Sequence, residues 1–284
     1  MEGARGNPPH LASPARGGAQ RLPALVCRVP GAVRVTVRNI KLIIEYDGTP
    51  FSGWQRLKGR PSVQAELERA VLKVTGERLT VIGAGRTDAG VHALGQVGNC
   101  ATESRIAAGR FPAALNAYLP PSIRVLAADE VDPDFHARYA AIGRTYRYAV
   151  LNRPAPSAIL RNHAYHVPYP LGVQSMVAGA SALEGTHAFD AFRGVGSYER
   201  TTICTLRRAG IAQSGDMVIF TFEADRFLRH MVRMVVGTLL KVGAGKLVPE
   251  AVSEILAGED NRRAGPTAPA HGLYLVRVIY GGQV

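Results

Sequence analysis

The chain has 284 residues, 46% of them apolar, enough for one large or two medium domains with their own cores. No apolar run approaches the ~20 residues of a membrane span, no segment has the shape of a secretory signal, and the three distant cysteines, Cys27, Cys100 and Cys204, argue against a disulfide framework. A net charge of +12, from 34 basic and 22 acidic residues, points to a polyanionic partner, with nucleic acid favoured over membrane because no amphipathic anchor stands out.

Residues 1–37 are rich in Gly, Pro, Ala and Arg, lack helical or strand periodicity, and are expected to be a disordered basic extension. Residues 1–38 carry six arginines and one glutamate, so +5 of the charge resides there and +7 stays with the rest. Order is expected from a strand at Arg38 that ends in the turn Tyr46-Asp47-Gly48. A helix follows: Ser62 is its predicted cap, Val63, Leu67, Val71 and Val74 line one face, and Gly76 stops it. Leu79–Ile82 reads as a strand, a second follows from Leu94, Phe111–Tyr118 as a short helix, and Ile123–Leu126 as a strand.

The second half opens with a strand at Arg144–Val150 and continues with a helix at Leu171–Leu183 and strands at Leu206–Ile211 and Met217–Ala224. A long helix at Phe227–Val242, a short one at Pro249–Leu256 and a strand at Gly272–Tyr280 complete it. The fold class expected is α+β: two ferredoxin-like modules, 38–142 and 143–284, with antiparallel or mixed sheets joined around a central basic cleft.

Chemistry concentrates in Gly83-Ala84-Gly85-Arg86-Thr87-Asp88-Ala89-Gly90-Val91-His92-Ala93, between two strands. Its glycines permit a sharp bend and close approach. Asp88 stands where a dinucleotide fingerprint needs its third glycine, and the Gly-Lys-Ser/Thr of a P-loop is absent. Arg86 and Asp88 read equally as a mounted carboxylate nucleophile or as an ion pair bracing a turn. On the long predicted helix, Arg226, Arg229 or His230, and Arg233 share one face, suited to phosphates or to a polar cleft, with a solvated face as the alternative. The eight histidines show no pair at ligand spacing, which argues against zinc. His92 reads as a structural hydrogen-bonding residue; a hydrolase pairing Asp88 with His92 or His136 is the weaker reading.

From Gly85 to Ala93 the loop resembles the signature of the TruA family of tRNA pseudouridine synthases. The resemblance extends through Glu45-Tyr46-Asp47-Gly48, Gly53-Trp54-Gln55-Arg56, Asp134-Phe135-His136-Ala137-Arg138, Tyr146-Arg147-Tyr148, His230-Met231-Val232-Arg233 and Gly272-Leu273-Tyr274, covering about residues 38 to 281. It implies isomerisation of uridine to pseudouridine at positions 38, 39 and 40 of the tRNA anticodon arm, by a cytoplasmic homodimer with no cofactor or metal. It implies Asp88 as nucleophile, Arg86 paired with it, Arg233 completing the catalytic pocket by ion pairing, and Tyr146 packed on the flipped uracil. Strand periodicity alone leaves Tyr146 and Tyr148 equivalent, since they share a face. Arg56, Arg229 and His230 are the further expected substrate contacts.

Overall fold

The computed structural model describes residues 36–194, 196, 201–258, 260 and 262–281, so the expected disordered extension lies outside the described residues except for Thr36 and Val37. The first half comprises β1 (Arg38–Tyr46), α1 (Val63–Thr75), β2 (Ile82–Gly83), β3 (His92–Thr102), α2 (Phe111–Asn116) and β4 (Ile123–Val131). The second comprises β5 (Ala141–Asn152), β6 (Tyr165–Val167), α3 (Val173–Ser181), β7 (Gly185–Ala188), β8 (Ile203–Ser214) and β9 (Met217–Ala224). It ends with α4 (Met231–Gly243), α5 (Ala251–Ala257) and β10 (Leu273–Tyr280). The class is α+β, and among the described residues no helix is long and apolar enough to cross a membrane.

The two halves meet in one mixed sheet of order β4-β1-β3-β10-β5-β9-β8-β7, with β2 added to β3 and β6 to β5. The last strand is the seam: β10 runs parallel to β3 of the first half and antiparallel to β5 of the second. The division expected at 142/143 falls inside β5. Directly opposed residues of neighbouring strands share a face. A row therefore crosses both halves on one face: Tyr46, Ala93, Leu275, Tyr146, Phe222 and Ala209. All six are buried, and burial of each large side chain stabilises the fold by about 1.5–3 kcal/mol.

Helix α1 forms because Val63, Leu67, Ala70 and Val71 recur at helical spacing and bury together, and it stops at Gly76, whose φ of 78° is left-handed. Ser62 occupies the cap position with extended backbone, but its buried hydroxyl makes no capping hydrogen bond, contrary to expectation. The largest departure concerns α4, which starts at Met231 and not at Phe227. His230 has φ 60°, and a left-handed residue cannot be continued into a right-handed helix. Arg226 and Arg229 therefore precede the helix and the expected arginine face does not exist; of that set only Arg233 is helical. Helix α4 is apolar nearly all round and correspondingly buried.

Candidate active site

Asp88 lies in the turn between β2 and β3, which pair antiparallel at Ile82 and Gly83. The turn is backed by residues 51–54: Phe51 accepts from the Gly90 N–H at 3.3 Å, and Trp54 donates its N–H to the Thr87 carbonyl at 3.1 Å. Gly53 makes this approach possible, because its φ is 100° and a Cβ there would stand 2.5 Å from the Thr87 oxygen. Thr87 is buried, its hydroxyl 2.8 Å from that of Tyr46, and Gln96 donates to the Gly85 carbonyl at 2.9 Å. With Thr87 anchored inward, Arg86 and Asp88 are presented on the outer side.

Two groups from the start of α4 reach Asp88. Arg233 Nη1 donates to Asp88 Oδ2 at 3.1 Å, while its Nε donates to the Ala268 carbonyl at 2.7 Å, which orients the guanidinium. His230 Nε2 is 3.4 Å from the same Oδ2. Burial holds His230 below the ordinary imidazole range, and Arg233 and Arg229 add to this while Asp88 opposes it. Its ring is accommodated by Gly194, where a Cβ would sit 2.7 Å from Nδ1. Asp88 is 36% exposed, and among the described residues its Oδ1 accepts no hydrogen bond. Among the described residues, one carboxylate oxygen is clamped and the other takes no hydrogen bond.

Tyr146 lies on β5, within electrostatic reach of this carboxylate, 9% exposed and packed edge-on to Phe227 with ring centroids 5.1 Å apart. Burial pushes its phenol up to about 12, with Arg144 opposing and the Asp88 charge adding to the rise. Tyr148 is fully buried and its hydroxyl donates to the Pro269 carbonyl at 2.8 Å, so the fold separates two tyrosines that periodicity could not. Arg144 went unpredicted although it shares their face: its Nη2 donates to the Ala84 carbonyl at 2.8 Å and its Nη1 to that of Asp225 at 3.1 Å. It thereby ties the Asp88 loop to the segment that leads into His230.

Other expected site residues stand apart. Arg86 is exposed and makes no ion pair among the described residues; the expected Arg86–Asp88 pair is replaced by Arg233 and His230, which occupy Oδ2. Arg56 pairs at 2.8 Å with the buried Glu68 of α1, bracing that helix and not Asp88. Arg229 is exposed next to His230 and donates to the Gly196 carbonyl at 3.3 Å. Neither His92 nor His136 meets Asp88: His92 faces Asp47, and His136 Nδ1 accepts from the Arg138 and Tyr139 N–H groups.

Sequence spacing also concealed a cluster, since the fold brings ligand atoms of Asp47, His92 and His163 within 4.8 Å of one another. Nε2 of the buried His92 lies 2.9 Å from the Asn162 carbonyl and 3.1 Å from that of His271, which assigns it as the donor. Nδ1 is then an acceptor and takes the Gly48 N–H at 3.1 Å. Asp47 Oδ1 takes both the N–H and the hydroxyl of Thr49, at 2.9 and 2.6 Å. His92 Nδ1 and Asp47 Oδ1 are already engaged by protein donors, so these two members read as a brace.

A protein-family model described as tRNA pseudouridine synthase matches residues 42–140 and 180–281. The tRNA pseudouridine synthase A of Acetivibrio thermocellus is 49% identical over 244 residues, which is 86% of this chain and all of the relative. Proteins of the same name from Thermoanaerobacter sp. strain X514 and Moorella thermoacetica are each 46% identical, over 86% and 85% of this chain and 100% and 99% of their own lengths. The chain belongs to the tRNA pseudouridine synthase family.

Proposed function

We propose that this protein isomerises uridine to pseudouridine at positions 38, 39 and 40 of the tRNA anticodon stem-loop, acting as a homodimer in the cytoplasm, with Asp88 as the nucleophile. The observation that carries the reading is the carboxylate of Asp88, clamped at Oδ2 by Arg233 and His230, without a hydrogen bond at Oδ1 among the described residues and within electrostatic reach of Tyr146.

The reaction breaks the bond between C1′ of the ribose and N1 of uracil, turns the base and rejoins it through C5. C5 loses a proton and N1 gains one, so nothing is added overall. The open Oδ1 attacks either the sugar or the base, and in both cases a covalent intermediate divides one difficult exchange into easier steps. The clamped oxygen keeps the carboxylate oriented, while Arg233 stabilises its charge and leaves Oδ1 free. Tyr146 packs on the detached uracil and retains it while it turns. A stacked base is out of reach, so the nucleotide is everted, and phosphate contacts from the basic surface offset that cost. Halves 38–142 and 143–284 supply different parts: the first the nucleophile, the second the tyrosine, the histidine and the arginine. Arg86 and Arg229, exposed near the opening, are the proposed RNA contacts.

The test is to incubate the purified protein with unmodified tRNA and map pseudouridine through its carbodiimide adduct. Adducts confined to positions 38–40 are expected; no adduct anywhere in the tRNA would overturn the assignment.

A further inference from the structure

The loop between β4 and β5 is ordered to an extent its exposed tip does not explain. Buried Asn39 donates from one side-chain nitrogen to the carbonyls of Asp132, Pro133 and Phe135, at 3.0, 3.3 and 2.8 Å. Buried Asn99 accepts the Ala137 N–H at 2.9 Å, and the Tyr280 hydroxyl donates to the Ala137 carbonyl at 2.8 Å. These bonds hold the backbone on both sides of the tip. The tip itself carries Tyr139, which is 76% exposed. His136 lies against its ring with centroids 4.3 Å apart, and the Arg138 guanidinium is 5.7 Å from its ring centroid.

An aromatic ring left in water forgoes the stabilisation that burial would give it. A loop held so firmly behind such a ring has already met the entropic cost of presenting it. The position is equally informative. Nη2 of Arg144 donates both to the Arg138 carbonyl, at 3.4 Å, and to the Ala84 carbonyl of the Asp88 loop, at 2.8 Å. One guanidinium nitrogen therefore joins the base of this tip to the loop that carries the carboxylate.

We propose that Tyr139, flanked by His136 and Arg138, is a stacking platform for a nucleobase of the substrate RNA beside the Asp88 opening, with Arg138 on a neighbouring phosphate. The proposal rests on the reading of tRNA as substrate. A planar ring with a cation held over it offers both a stacking surface and a phosphate partner to a base on its sugar-phosphate chain, and stacking tolerates any base because each has a π-face.

The experiment compares wild type, Tyr139→Phe, Tyr139→Ala and Arg138→Ala, in the full-length protein. Binding of unmodified tRNA is measured across a salt series, turnover by tritium release from C5-labelled tRNA, and assembly by sedimentation. Tyr139→Phe should bind within about twofold of wild type, and Tyr139→Ala at least about fivefold more weakly, with an unchanged unfolding midpoint. Arg138→Ala should weaken binding and reduce the salt slope by about one. Wild-type affinity in Tyr139→Ala would overturn the proposal, as would a loss that coincides with a changed oligomeric state, which would assign the ring to a protein interface. A wild-type protein that binds tRNA without releasing tritium would sink the catalytic reading and leave this one standing.

Discussion

Two aspartates in this molecule each face a histidine, Asp47 with His92 at 3.1 Å and Asp88 with His230 at 3.4 Å, yet the surroundings give the pairs opposite characters. Around Asp47 the partners are mainly local or backbone: Thr49 supplies two donors to one oxygen, and His92 is held between the carbonyls of Asn162 and His271. Around Asp88 the partners are side chains from α4 and the turn before it, 142 and 145 residues away in sequence, and they engage one oxygen only. A carboxylate whose bonded oxygen is filled by the donors of its own turn is a brace. One oriented by side chains from a distant segment, with no local donor among the described residues, is set up for chemistry.

The sharpest contrast comes from making the same isosteric change in both pairs. Asp88→Asn should lower turnover by at least about a thousandfold, the scale of removing a nucleophile. Asp47→Asn keeps an oxygen for Thr49 and should leave turnover within about threefold, with less than about 1 kcal/mol of stability lost, because Asp47 is 40% exposed. Equal losses of turnover in steady-state assays of the two variants would erase the distinction.

A smaller effect is expected from the clamp. Arg233→Ala should reduce turnover about a hundredfold, as loss of one oriented donor does, and cost about 1–3 kcal/mol because the Ala268 carbonyl loses its charged partner. Circular dichroism should show folded protein; a cooperative loss of structure would make Arg233 a brace instead.

The smallest effect is one the two pairs share. Burial holds both His92 and His230 below the ordinary imidazole range, so the unfolded chain binds protons more readily than the folded one once pH falls below about 6.5. Their stabilisation is present above that pH and lost as it falls toward the folded values. The unfolding midpoint should decrease from pH 7.5 to 5.5, and His92→Gln should lessen the decrease. A midpoint that rises on acidification would contradict the sign.

The strands were legible where apolar alternation was uninterrupted. β9 spans Met217–Ala224, as its pattern predicts, and β10 begins one residue later than expected. The strand expected at Leu79–Ile82 shrinks to Ile82–Gly83, and β6 and β7 are too short for periodicity to reveal. Continuity of the sheet depends on β10 pairing across a long sequence separation, which no local pattern encodes. The Asp88 loop was legible because its glycines and charges are adjacent in sequence. Of its partners, Arg233 was expected only through the family resemblance and His230 only as a substrate contact, and a two-residue spacing suggested Arg86 instead; the left-handed backbone at His230 turns that ring and Arg233 toward the carboxylate. Arg144 had a faint signal, the period-two set it forms with Tyr146 and Tyr148.

The central claim is that the open oxygen of Asp88 does covalent work on an everted uridine. Single-turnover tritium release, with enzyme in excess over C5-labelled tRNA so that affinity cannot limit the signal, tests it most directly. The account predicts a burst of release from wild type and none from Asp88→Asn, with both proteins binding the tRNA comparably. Substantial release by Asp88→Asn would contradict it.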